Sequence, residues 1–224
     1  MAQPGDLGKA SISPDFALAG QKGRWEILYT AGKLGVRKGG SLRLIPPFCH
    51  DLWQLGKVTA FCGNPDVYLE VLLENVCPPS YHHSNYPTAT VVVYGTDLKP
   101  GENVRLVLGD LGGYVSGRFL QSQAVTHACE TQFQLLVDWK GNGRFCREKH
   151  RPDAYRPCAG ALKMTVKPNQ PARIRCAVRN WPAEGDDLRG VLAVEDEFEN
   201  PISDMPFDIA LRPEQGGLAW QFWG

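Results

Sequence analysis

Residues 133–145 read FQLLVDWKGNGRF. Phe133, Leu135, Val137 and Trp139 recur at every second position, with Gln132, Gln134 and Asp138 in between. A period of two sends alternate side chains to opposite faces of an extended chain, so this stretch predicts a strand with one apolar face. Asn142-Gly143 follows. Both residue types tolerate positive φ, and the pair signals a tight hairpin turn.

The same grammar runs outward in both directions. Trp25, Ile27 and Tyr29 alternate with Glu26 and Thr30, and Val67, Leu69, Val71 and Leu73 alternate with Glu70 and Glu74. Val104, Leu106 and Leu108 share one face, as do Leu162, Met164 and Val166. Ile174, Cys176 and Val178 stand against Arg173 and Arg175. Thr88 to Tyr94 is a continuous β-branched run, suited to a strand buried on both faces. Lys99-Pro100-Gly101, Gly39-Gly40, Pro46-Pro47, Pro78-Pro79 and Asn200-Pro201 punctuate these runs as turns. No long stretch carries helical periodicity. Many short strands between Gly- and Pro-rich turns predict an all-β protein built as a β-sandwich.

A polar, proline-bearing stretch at 148–157 places a boundary near Cys158 to Ala161. The expected organisation is a β-sandwich domain over 15–158 and a smaller immunoglobulin-like β unit over 161–224. The second unit would use strands at 162–166, 173–178, 191–194 and 207–211. An immunoglobulin-like unit usually needs about 100 residues, so this one is expected to be reduced or completed by packing on the first. Its aromatic tail, with Trp220, Phe222 and Trp223, is expected to dock on the sandwich or on another subunit.

The chain has 224 residues, with 24 Lys plus Arg against 24 Asp plus Glu. Without a basic excess, nucleic acid is not an expected partner. No apolar run is long enough for a membrane-spanning helix, and the first residues lack the apolar core of a secretory signal. These features predict a cytoplasmic protein with no membrane partner. Seven cysteines stand at 49, 62, 77, 129, 146, 158 and 176, with no Cys-x-x-Cys among them. Free buried thiols fit a cytosolic chain; a Cys146–Cys158 or Cys49–Cys62 bridge is the alternative for an exported one.

Five stretches in order, GRWEILYTAGKLGVRKGGSLRL (23–44), LKPGENVRLVLGD (98–110), GYVSGRFLQSQ (113–123), FQLLVDWKGNGRF (133–145) and VEDEFENPI (194–202), carry a resemblance. Together they resemble the amino-terminal β-sandwich region of a bacterial family defined only as a domain of unknown function. Larger members of that family carry a PHP-like metal-dependent hydrolase domain after the sandwich. The resemblance implies the sandwich over about residues 20–205. It does not bring the hydrolase, because a PHP-type site needs an early His-x-His pair that this sequence lacks, and the chain ends where that domain would begin.

The densest run of chemically capable side chains lies just before the opening strand. If 119–129 is extended, Gln121, Gln123, Val125, His127 and Cys129 share a face. Two amides and an imidazole could line a pocket, with Arg118 anchoring an anion and Tyr114 donating from the loop above. Asp110 could orient His127 or Arg118. In the plainer alternative Asp110 caps a turn, Arg118 pairs with it and the glutamines face water. His50, His82 and His83 are weak metal candidates, since nothing in their spacing demands convergence. Asp138 and Asn142 hint at a calcium loop, but Lys140 occupies a ligand position and no closing Glu follows. No Gly-x-Ser-x-Gly, Walker or Rossmann pattern is present.

The expectation is therefore a cytosolic β-sandwich that binds a small anionic or aromatic ligand or a partner subunit, within a homo- or hetero-oligomer and without a cofactor. The alternative is a small-molecule lyase, isomerase or hydrolase. There His127, Asp110 and Tyr114 would be catalytic, Arg118, Gln121 and Gln123 would bind the ligand, and a divalent metal could assist.

Overall fold

The structure is a computed structural model, and it describes residues 3–49, 51–76, 86–111, 121–142, 154–178 and 190–203. In chain order the strands are β1 (Gly8–Ser13), β2 (Phe16–Leu18), β3 (Lys22–Gly23), β4 (Trp25–Ala31), β5 (Ser41–Ile45), β6 (Phe48–Cys49), β7 (Asp51–Leu52), β8 (Val58–Cys62) and β9 (Val67–Val76). They continue with β10 (Tyr86–Gly95), β11 (Asn103–Leu108), β12 (Ser122–Gln123), β13 (Cys129–Asp138), β14 (Arg156–Pro157), β15 (Leu162–Lys167), β16 (Pro171–Val178) and β17 (Gly190–Asp196). The only helical element among the described residues is one 3-10 turn at Pro4–Asp6. The protein is all-β, and none of these elements is a helix long and apolar enough to cross a membrane.

Two sheets face each other. One has four strands in the order β1-β4-β11-β8; the other has seven, ordered β2-β15-β13-β5-β10-β9, with β14 joined to β13. Alternation decides what lies between them. Ile27 and Tyr29 from β4, Val104, Leu106 and Leu108 from β11, and Leu42, Leu44, Val91, Leu135 and Val137 from the larger sheet fill the core. Trp25 and Trp53 meet edge to face at 4.9 Å, and Trp53 meets Phe133 likewise at 5.1 Å. Such edge-on contacts match the positive ring edge to the negative ring face. Trp53 Nε1 donates to Ser122 Oγ at 2.9 Å, so the indole is buried without an orphan donor.

The Thr88–Tyr94 run forms the middle of β10, and Thr88 to Val93 are all buried, as a strand covered on both faces requires. Its partners are β9 on one side and β5 on the other, both antiparallel.

The expected boundary near 158–161 does not separate two packing units. Leu162–Lys167, the first strand beyond it, pairs antiparallel with Cys129–Phe133 and parallel with Phe16–Leu18, inside the larger sheet. Leu162, Met164 and Val166 contribute to the common core. Of the later strands, β16 and β17 form a separate two-stranded ribbon, while residues 207–211 and the aromatic tail lie outside the described residues.

The ribbon is fastened by the VEDEFENP segment. Asp196 is fully buried; its Oδ1 accepts from the backbone of Phe198 and Asn200, and its Oδ2 from the Asn169 backbone and Asn200 Nδ2. Asn200 Nδ2 also donates to Thr126 O, and Asn200 Oδ1 accepts from Ala128 N. Phe198 packs on the core at Gly20, whose φ of +66° and close ring contact leave no room for a β-carbon. The acidic motif is thus a clamp between ribbon and sandwich.

The described side chains are those of Cys62, Cys129, Cys158 and Cys176; Cys62 and Cys158 are free thiols, so neither bridge alternative forms. Three are half-buried and Cys176 is exposed, where full burial was expected. Burial pushes the Cys158 thiol up to about 11.

Candidate functional site

The described residues of the polar stretch around Asp110–Cys129 do not form one face. Among these, 110–111 and 121–129, the strands are Ser122–Gln123 and the start of β13 at Cys129. Val125 is fully buried beside buried Ala124, while Gln121 and His127, expected on the face of Val125, are exposed. Two adjacent buried residues break the alternation. The cause is tethering: Thr126 donates from its backbone and hydroxyl to Asp51 Oδ2 at 2.8 and 2.9 Å, and Gly20 N donates to Val125 O. Gln123 is half-buried, and its backbone exchanges two hydrogen bonds with Gln54.

Asp110 accepts from Thr59 Oγ1 at 2.6 Å and donates its backbone N–H to Lys57 O. The preceding Gly109 has a φ of +70°, and a β-carbon there would lie 2.3 Å from Gly23 O. That glycine lets the chain turn tightly from β11 to deliver Asp110 over β8. Tyr114 and Arg118 lie outside the described residues, as do His50, His82 and His83. Among the described residues no group of three His, Cys, Asp or Glu side chains is arranged to hold a metal. Asp138 Oδ1 accepts from the backbone of Gly141 and Asn142, so this carboxylate closes a turn; the rest of the expected hairpin, from Gly143, lies outside the described residues.

A different polar cluster sits on the face of the larger sheet turned away from the core. The sequence SLRLI sends Leu42 and Leu44 inward, so Ser41 and Arg43 must point outward. Arg43 lies directly across from Thr90 on one side and Leu136 on the other. Yet Arg43 is only 3 % exposed, and Ser41, Thr88, Thr90 and Asp138 are buried with it.

Tyr155 packs on this cluster. β14 continues the larger sheet along β13 beyond the end of β15, which brings the chain just before it onto this face. The Tyr155 ring lies 4.0 Å from the Arg43 guanidinium carbon, and its hydroxyl is 2.7 Å from Ser41 Oγ. Burial pushes the Tyr155 phenol up, against the lowering exerted by Ser41 and Arg43, so it stays protonated at neutral pH.

Arg43 Nε donates to Thr90 Oγ1 at 3.3 Å, and Nη2 lies 3.7 Å from a Glu74 carboxylate oxygen. That separation permits an ion pair but is too long for a hydrogen bond. Nη2 is buried and has no hydrogen-bond partner among the described residues. An incompletely bonded buried guanidinium is costly, because it has lost its water without full replacement. A planar fork with a free N–H is also the group best shaped to take a carboxylate or phosphate oxygen. The Glu74 side chain beside it is 19 % exposed. Sequence reasoning missed Arg43; a lone cation inside a short strand between Gly39-Gly40 and Pro46-Pro47 was the available signal.

The sequence matches no protein-family model, and no curated protein matches it. Among solved structures the chain is similar to a cohesin module from a Clostridium perfringens ATCC13124 family 33 glycoside hydrolase. The identity is 10 % and the TM-score 0.38, with 73 % of this chain and 99 % of that one covered. It is also similar to AvmM, which catalyzes macrocyclization in alchivemycin A biosynthesis. There the identity is 11 % and the TM-score 0.33, covering 74 % of this chain and 92 % of that one.

Proposed function

We propose that this β-sandwich is a binding protein for a small ligand bearing a carboxylate or phosphate group, held at Arg43 on the outer face of the larger sheet. The observation that carries the reading is the buried Arg43 Nη2 without a hydrogen-bond partner among the described residues. Thr90 orients the guanidinium through Nε, and Tyr155 supports it from the ring face. Ser41 and the Tyr155 hydroxyl offer further polar contacts beside it. Glu74 sets a selectivity rule. Its charge repels a polyanion, so a monoanion, or an anion that also carries a hydrogen-bond donor, is the fitting ligand class.

The test is a thermal-unfolding screen against acetate, benzoate, lactate and inorganic phosphate, each at constant ionic strength. A ligand that binds only the folded state raises the midpoint with concentration. The expected result is a saturable rise for at least one monocarboxylate that is lost in Thr90→Val. No saturable response to any of the four anions contradicts the reading.

A further inference from the structure

We infer that the outer edge of β9 is a self-association surface, through which two copies of this chain join their larger sheets about a two-fold axis. β9 ends the order β2-β15-β13-β5-β10-β9, and β10 is its only strand partner among the described residues. It is ten residues long, VYLEVLLENV, with no Pro and no Lys. Its pairing with β10 runs without a register shift from Val67 to Val76. Protected edges are short, bulged, or marked with Lys or Pro, because a bare row of N–H and C=O groups templates another strand. β9 is neither short nor bulged and has no Lys or Pro; its charges are Glu70 and Glu74, which restrict the register in which a strand can be added. At the other end of the same sheet β2 is only three residues long, and β1, the edge of the smaller sheet, is polar Gly-Lys-Ala-Ser-Ile-Ser.

The apolar content of β9 asks for cover. Leu69 and Val71 pack on the core but stay partly open, Leu73 is 60 % exposed and Tyr68 is 65 % exposed. The charges select the occupant. In a symmetric antiparallel pair, directly opposed residues share a face, so the two-fold axis must pass through a residue paired with itself. Centred on Val71, the pairing sets Leu69 against Leu73 of the partner subunit, Tyr68 against the partner's Glu74, and Glu70 against the partner's Leu72. No like charges oppose. Moving the centre one residue sets Glu70 against itself, or against the partner's Glu74, which is destabilising. Centres on Leu69 or Leu73 also avoid like charges but pair less of the strand, so the Val71 register, which keeps Val67 to Asn75 paired, suits a second copy of β9 best.

The experiment is sedimentation velocity with light scattering on the full chain up to about 100 µM, the range for a modest specific interface. Wild type is expected to be a dimer of the 24.8 kDa chain. Leu72→Glu, which opposes a new carboxylate to Glu70, should weaken the dimer about tenfold or more. Leu72→Lys, which opposes an ammonium to it, should hold the dimer or tighten it. Circular dichroism melting keeps loss of fold apart from loss of association. A monomeric wild type, or equal dissociation constants for the two variants, overturns the proposal.

Discussion

The guanidinium carbon of Arg43 stands 4.0 Å from the ring centroid of Tyr155, and the same phenol reaches Ser41 at 2.7 Å. One aromatic residue thus covers a buried cation and satisfies a buried hydroxyl. The two roles separate by mutation. Tyr155→Phe keeps the cation–π contact and loses the hydroxyl partner, an expected cost of about 1 kcal/mol. Tyr155→Ala removes both and opens a cavity, at about 3–5 kcal/mol. Urea unfolding of the two variants checks the ratio; equal losses would mean that Tyr155 does not pack on Arg43.

Asp196 makes the ribbon clamp sensitive to acid. Burial pushes its carboxyl up, but bonds from Asn200, Asn169 and Phe198 outweigh that and leave its folded value below the ordinary 3.8. A lowered folded value contributes stability that is complete above the unfolded value and fades as pH falls through the folded one. Asp196→Asn should therefore cost about 3 kcal/mol at neutral pH, where four accepted bonds are disturbed. The gap to wild type should narrow as pH falls from about 4 to 2. Urea midpoints measured across that range test it; a gap that widens with acid would refute the clamp.

Ser122 is the hinge between the aromatic core and the loop before β13. Its hydroxyl accepts from Trp53 Nε1 and donates to Gln54 O at 2.8 Å. Ser122→Ala leaves a buried indole N–H unpaired, with an expected loss of about 1–3 kcal/mol. Trp53→Phe with Ser122→Ala removes donor and acceptor together. The double mutant should lose less than the sum of the single losses, and a double-mutant cycle reads that coupling.

Strand identity was legible where the signal is local. The alternation of Phe133, Leu135 and Val137 and the unbroken run at Thr88–Tyr94 each state their own burial, because side-chain direction repeats within the strand. β1 was not legible, since Gly-Lys-Ala-Ser-Ile-Ser has too little apolar surface to show a period. The partners of β15 were not legible either. Its antiparallel contact to β13 and parallel contact to β2 are set by neighbours remote in sequence. The same non-locality hid the Arg43 cluster, on which Tyr155, just before β14, packs from far along the chain. It also spoiled the polar face predicted around His127, where Asp51 pins Thr126 out of the extended path.

The most direct test of the binding account is calorimetric titration of benzoate and of lactate into wild type, Arg43→Lys and Thr90→Val. Lysine keeps the charge but loses the planar fork, and valine removes the hydroxyl that orients it. The account predicts one-site binding of at least one of these carboxylates to wild type, weakened about tenfold or more in both folded variants. Equal affinity in all three proteins would contradict it, as would no binding heat in wild type at any temperature.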